Sequence, residues 1–323
     1  MVMGGGTFVL SIPKEWAKKN GVKKGTTLAV EELSMGKLMI RPIDVSSAKP
    51  REFAIDFTGE DLRQVVSDVT GAYLLGYELI KIGGRKVIAR GERAVLKDTL
   101  SRLIGLEIMD EDSKQITVQF LLEHSAIDPE RLVRRMSGIL EGMMRDTATA
   151  LAGNDRGLLS LVAERDDEVD RLYFLLVRTI RTATLHPELA ERYGLGPVDV
   201  LDYRVLASFL ESVGDAVAEL SKKLHRLTIP PKVAKDYSRC VLLLIDLEDL
   251  ATRSFLSRKT GRSREVYSRI ETLGIEIEEG SARIAQLAGA EGYALVETLG
   301  TLDRIGKLLV DVSDLATTAQ LVS

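Results

Sequence analysis

The chain is 323 residues long, with 28 % charged and 45 % hydrophobic residues and a net charge of −4. That balance excludes a disordered chain and leaves room for two or three domains. One cysteine, Cys240, excludes an intrachain disulfide and a cysteine-built zinc cluster; set in RCVLLLI, it reads as a buried packing thiol. No signal peptide and no apolar run near about 18 residues stands out, so a cytoplasmic protein without membrane insertion is expected. Charge is uneven along the chain. Residues 1–50 carry eight Lys+Arg against four acids, a net of +4, which leaves −8 for the remainder. A small basic head on a larger acidic body suggests two modules with two tasks.

The head spans residues 1–48. TFVLSI is β-prone, and Pro13 suits the first turn of a short helix in PKEWAKKN. Gly21 and Gly25 punctuate turns, and TTLAVEEL and KLMIRPI read as two strands joined through SMG. So short a segment buries a core poorly alone, which favours a homodimer. The run Gly5-Gly6-Thr7-Phe8-Val9-Leu10-Ser11-Ile12-Pro13-Lys14-Glu15-Trp16, with Lys24-Gly25 and Leu38-Met39-Ile40-Arg41-Pro42, resembles the AbrB/SpoVT swapped-hairpin domain. The version it resembles stands at the N-terminus of archaeal phosphate-uptake regulators. The resemblance implies that two chains interleave their hairpins into one barrel and present basic residues to DNA. Lys14, Lys18, Lys19, Lys23, Lys24 and Arg41 are then the expected phosphate contacts. The alternative is a solvated lysine face on a dimerisation module. One departure is visible: the family usually has a basic strand before the Gly-Gly, where this sequence has Met1-Val2-Met3-Gly4.

Residues 50–125 alternate between strand and helix signals, giving a small α+β module that is ferredoxin-like in its simplest reading. IGGRK (82–86) is a weak anion-binding signal and more often a turn. No other chemical constellation shows there.

Residues 126–323 are helical throughout. Breaks at GNDRG, HPELAERYGLGP, TIPP, KTGRS and LAGAEG leave six long helices: 128–153, 156–184, 198–227, 232–259, 263–287 and 290–319. These group into two three-helix repeats, 126–227 and 231–320. LESVGDAVAEL in the third helix aligns with LDRIGKLLVDV in the sixth at an offset of 92, which matches Glu211 with Asp303 and Gly214 with Gly306. A glycine inside a helix costs about 1 kcal/mol against alanine, so its presence in both copies points to duplication and a close helix approach. The next matched position differs: Asp215 becomes Lys307.

Paired carboxylates recur in the first repeat. Asp166 and Asp170 stand four apart at the edge of the stripe Leu159, Val162, Val169, Tyr173 and Val177; Glu164 and Glu168 point away from it. Glu211 and Asp215 lie opposite the stripe Leu206, Phe209, Val213, Val217 and Leu220, on a shallow face shared with Ala207, Ser208, Gly214 and Ala218. Four carboxylates brought together repel and raise one another's pKa values unless a cation joins them, and hard oxygen ligands suit a divalent or trivalent metal. The bland alternative is that each pair only keeps its helix soluble.

The Glu-x-x-x-Asp of Glu211–Asp215, with the Asp-rich partner Asp166–Asp170, resembles the PhoU family over residues 130–318. PhoU proteins are phosphate-signalling regulators built as two tandem three-helix bundles. The resemblance implies a mainly α fold and a surface site for multinuclear iron, or for zinc, magnesium or manganese, at Asp166, Asp170, Glu211 and Asp215. The second repeat departs from the pattern at Lys307, and residues 263–285 hold no acidic pair four apart. One competent site and one degraded site are expected.

The leading expectation is a non-enzymatic regulator of phosphate uptake that docks a transport ATPase or another regulator. A metal-free dimeric scaffold or antitoxin-like protein is the alternative. A carboxylate di-iron enzyme ranks below both. Its chemistry needs Glu-x-x-His on two helices, and none of His124, His186 and His225 lies three residues after a glutamate.

Overall fold

The computed structural model describes residues 2–3, 7–33, 36–42, 50–58, 61–257, 263–286 and 290–320. They form two compact units, 1–50 and 51–323. In the first, β1 (Val2–Met3) pairs antiparallel with β2 (Thr7–Phe8), α1 (Lys14–Lys19) follows Pro13, and β3 (Leu28–Leu33) pairs with β4 (Lys37–Pro42). Glu15 in the first turn of α1 and Lys18 and Lys19 in its last complement the helix dipole. The helix buries none of its residues, and Val9, Leu10, Val30 and Leu38 are 50 to 63 % exposed. A single head leaves apolar surface in water. The Ser34–Met35 turn expected to close the hairpin lies outside the described residues.

The second unit opens with β5 (Glu52–Asp56), α2 (Leu62–Leu74), β6 (Leu79–Gly83), α3 (Arg90–Arg102), β7 (Leu106–Glu111) and β8 (Gln115–Phe120). The sheet order is β5-β6-β8-β7, with β5 parallel to β6 and the other pairs antiparallel. This βαβαββ order differs from the ferredoxin-like βαββαβ. QITVQF and GLEIMDED form a hairpin at the end of the module, where that fold needs a helix between its last two strands. Ile55, Ile80, Ile82, Ile116 and Val118 turn one sheet face to a core closed by Val65, Val69, Tyr73, Leu96 and Leu100 of the two helices.

The helical body follows as α4 (Pro129–Gly153), α5 (Arg156–Glu164), α6 (Asp166–Leu185), α7 (Pro187–Arg192), α8 (Pro197–Arg226), α9 (Pro231–Ser257), α10 (Ser263–Ile284) and α11 (Ala290–Gln320). The boundaries carry their usual chemistry. Asp128 accepts from the amides of Glu130 and Arg131 ahead of Pro129, and α4 ends on Asn154 at φ 51°. The helix expected over 156–184 is interrupted at Arg165, whose guanidinium crosses to Asp146 of α4 at 2.8 Å. HPELAERYGLGP, read as a break, holds the short α7. α4, α5, α6 and α8 pack as one bundle and α9, α10 and α11 as another; α4 lies against α9 and α8 against α11, so one hydrophobic core runs through both. Cys240 is buried in that core, where burial pushes its thiol up to about 12.

Candidate metal centre

Asp166 opens α6, Asp170 follows one turn later, and Glu211 and Asp215 stand on the neighbouring α8. Gly214 sets their separation. A Cβ there would lie 3.2 Å from both Asp166 Oδ1 and Val169 Cγ1, tight enough that the neighbours would have to give. Gly214, Ala207 and Ala218 are all buried, so the face expected to be shallow is packed, and the acids stand at its rim. Asp166, Asp170 and Glu211 are half-buried and Asp215 is exposed, while Glu164 and Glu168 face solvent.

One carboxylate oxygen from each of Asp166, Asp170 and Asp215 lies within 4.8 Å of the other two. Glu211 falls outside that triplet but feels the charges of Asp215 and Asp170, and its Oε2 accepts from Ser212 Oγ at 3.4 Å. Burial, then Asp215 and Asp170, pushes Asp166 up to about 7, with Lys222 opposing. Asp170 is raised by burial, Asp215 and Asp167, against Arg102 of α3. Glu211 is raised by burial, Asp215 and Asp170, against Ser212 and Arg204. The Oδ1 of Asp166 is buried without a hydrogen-bond partner. A carboxylate with one oxygen orphaned, in a cluster with two further carboxylates, is the surrounding that a hard, multiply charged cation satisfies. The donor set fits such an ion.

Lys222, Arg204, Arg102 and Asp167 shape this field and were not singled out from sequence. Arg102 belongs to the α+β module, and no periodicity argument places it beside α6. None of the three histidines joins the cluster. His124 stacks on Phe120, His186 pairs with Glu188, and His225 meets the carbonyl of Arg156.

The second bundle has the same frame with other side chains. A Cβ on Gly306 would meet Ile270 and Leu273 of α10 and Leu244 of α9, as one on Gly214 would meet Asp166, Val169 and Leu140. Each of the three neighbours lies 104 residues after its counterpart. Ile270 therefore stands for Asp166, and Gly274 for Asp170. On α11, Lys307 Nζ pairs with Asp303 Oδ2 at 2.6 Å.

In the head, Lys14, Lys18 and Lys19 lie on α1, Lys23 and Lys24 in the following turn, and Arg41 on β4; all six are exposed. Among the described residues none of the five lysines is held in an ion pair. The Gly83-Gly84 turn has a packing reason instead of an anion-binding one. A Cβ on Gly84 would run into the carbonyl of Phe57.

Residues 133–224 match the PhoU domain family, and residues 1–47 match the family described as antidote-toxin recognition MazE, bacterial antitoxin. Two solved structures are similar to the body. PhoU from Pseudomonas aeruginosa is 16 % identical over 60 % of this chain and 96 % of that one, with a TM-score of 0.52. The phosphate transport system regulatory protein PhoU from Streptococcus pneumoniae is 14 % identical over 60 % of this chain and 94 % of that one, also at 0.52. No curated protein matches the chain. The chain thus carries a PhoU domain with the PhoU-like helical fold, and an AbrB-type antitoxin domain as its head.

Proposed function

We propose that the chain is a non-enzymatic regulator of phosphate uptake whose first bundle takes a metal ion at its carboxylate cluster. The observation that carries the reading is the Asp166–Asp170–Asp215 triplet, with its orphaned buried oxygen, on a PhoU-type bundle. Asp166, Asp170 and Asp215 would ligate directly, and Glu211 would complete the set. Bound metal would offset the burial and the mutual repulsion that raise Asp166, Asp170 and Glu211, and its charge would be displayed on the surface of α6 and α8. Iron leads, with magnesium, manganese and zinc as alternatives; an all-oxygen donor set suits the harder ions.

The head acts as a homodimer. Val9, Leu10, Val30 and Leu38 supply the apolar surface that a second copy would cover, and Lys14, Lys18, Lys19, Lys23, Lys24 and Arg41 would then meet DNA phosphates. The body docks a transport ATPase or another regulator in the cytoplasm. No described helix is long and apolar enough to cross a membrane. The antitoxin family match to the head keeps one second reading in view, a dimeric scaffold without metal.

Metal analysis of protein purified without chelator separates the two. The expected result is bound metal that Asp166→Ala and Glu211→Ala diminish; absence of metal favours the scaffold, and a content unchanged from wild type in both variants removes the site. For the head, a mobility-shift assay with the gene's own promoter should show binding that weakens steeply as salt rises. No shift at low salt removes DNA from the proposal and leaves dimerisation.

A further inference from the structure

Among the described residues, the most deeply buried carboxyl lies on the seam between the two bundles. Glu248 of α9 is 0 % exposed, and so is cut off from water. Its Oε2 accepts from Ser137 Oγ of α4 at 3.0 Å and its Oε1 from Thr252 Oγ1 at 2.9 Å. Among the described residues no Lys, Arg or His pairs with it. The charges acting on it from the two seam helices are Glu141 on α4 and Asp249 on α9, both acids. Among the described residues, α8, α10 and α11 give it neither a hydrogen bond nor an ion pair. Hydroxyls donate and accept alike, so they serve the neutral carboxyl as well as the anion. The two hydroxyls are the groups that oppose the cost of a buried negative charge, and burial outweighs them, pushing the group up to about 8.

The repeat gives an independent view of the same place. The relation that sets Leu244 for Leu140 also sets Val241 for Ser137, Glu248 for Met144 and Thr252 for Ala148. All six are buried. One end of the seam is therefore filled by Val241, Met144 and Ala148, and its counterpart by Ser137, Glu248 and Thr252. Packing needs no polar group at this position, because the molecule fills the corresponding space without one.

We propose that Ser137, Glu248 and Thr252 form a proton-operated latch between the bundles. With a proton on Glu248 the seam closes as an apolar interface; loss of the proton leaves an unpaired charge beside Glu141 and Asp249, and α4 and α9 loosen. The folded chain then holds a proton that the unfolded chain has released, so stability falls as pH rises from about 4.5 to about 8.

The test compares wild type with Glu248→Gln, and with Ser137→Val/Glu248→Met/Thr252→Ala, which copies the seam's own apolar end and so guards against a variant that misfolds. Denaturant unfolding from pH 5 to pH 9 should show the wild-type unfolding constant rising against either variant by up to about tenfold per pH unit. Hydrogen exchange, corrected for intrinsic rates, should show the facing amides of α4 and α9 losing protection over the same range in wild type only. A wild-type-to-variant ratio that stays constant with pH overturns the latch. So does pH-dependent opening that spares the α4–α9 amides.

Discussion

Asp166 shows how much one side chain's setting matters. In sequence it is one acid of ERDDEVDRL; in the structure its Oδ1 is buried against Gly214, and its carboxylate clusters with those of Asp170 and Asp215. With its pKa raised to about 7, the folded state keeps a proton that the unfolded state loses, so stability declines as pH climbs from about 4 to 7. Asp166→Asn removes that liability. In metal-free protein near neutral pH the variant should be more stable than wild type. The gain is on the order of 1 kcal/mol, because half-exposure screens much of the nominal shift. The gain should shrink towards pH 4. Added metal should reverse the ranking, since wild type gains a ligand-linked stabilisation that the amide cannot fully support. Thermal melts with and without metal at pH 5 and pH 7.5 check both halves, and a variant less stable without metal would contradict the repulsion argument. The four-residue spacing made both acid pairs legible in the sequence. The depth of Asp166 was not, because it comes from how closely α6 approaches α8, and spacing along one helix carries no such distance.

Among the elements, α6 does work that its apolar stripe conceals. Arg178 stands in YFLLVRTIRTATL, and its guanidinium is fully buried. Its Nη1 donates to the carbonyls of Tyr73 at 2.5 Å and Tyr77 at 2.9 Å, so it caps the C-terminal end of α2. The ring of Phe120 lies 3.8 Å from the guanidinium carbon and that of Tyr73 lies 4.9 Å away. Leu175 of the same helix enters the module's core. The α+β module is thus fastened to the bundle through α6, and residues 51–323 form one compact unit as a result. Arg178→Met should keep the aliphatic packing but leave two carbonyls uncapped, costing roughly 2–4 kcal/mol. Arg178→Lys should recover only part of this, since an ammonium lacks the planar fork that lies against the rings. Hydrogen exchange would report it: protection should fall over residues 62–120 while α9, α10 and α11 keep theirs. Uniform loss across the chain would mean the module is not separately fastened. Helix order and most boundaries followed from capping residues and breaks, which are local; the number did not, since one expected helix is split into α5 and α6 and a predicted break holds α7. The break at Arg165 and the cap by Arg178 rest on contacts with distant segments, Asp146 and the end of α2, and so left no local trace.

At the scale of the whole molecule the duplication has diverged in side-chain chemistry more than in frame. Gly214 and Gly306 occupy equivalent close approaches, while Asp166, Asp170 and Asp215 are answered by Ile270, Gly274 and Lys307. The sequence alignment exposed only the last of these, because α8 and α11 align at an offset of 92 whereas the preceding helices correspond at 104; the longer connection around α7 accounts for about half of the slip and the earlier end of α10 for most of the rest. Lys307, paired with Asp303, neutralises in the second bundle the kind of acid pair that remains unneutralised in the first. Two exchanges follow. Asp215→Lys should give the first bundle the second's chemistry: an ammonium beside Asp166, Asp170 and Glu211 relieves their repulsion, so the metal-free protein stays folded and is as stable as wild type or more so, but binds no metal. Lys307→Asp should restore the acid pair on α11 without creating a site, because Ile270 and Gly274 offer no oxygen opposite it; like charges four apart should cost a few tenths of a kcal/mol. Elemental analysis of the three proteins, loaded with the same metal and desalted, decides the matter. Metal content equal to wild type in Lys307→Asp and lost in Asp215→Lys places the whole capacity in the first bundle. A higher content in Lys307→Asp would show that a single lysine, and not the loss of both α10 acids, had closed the second site.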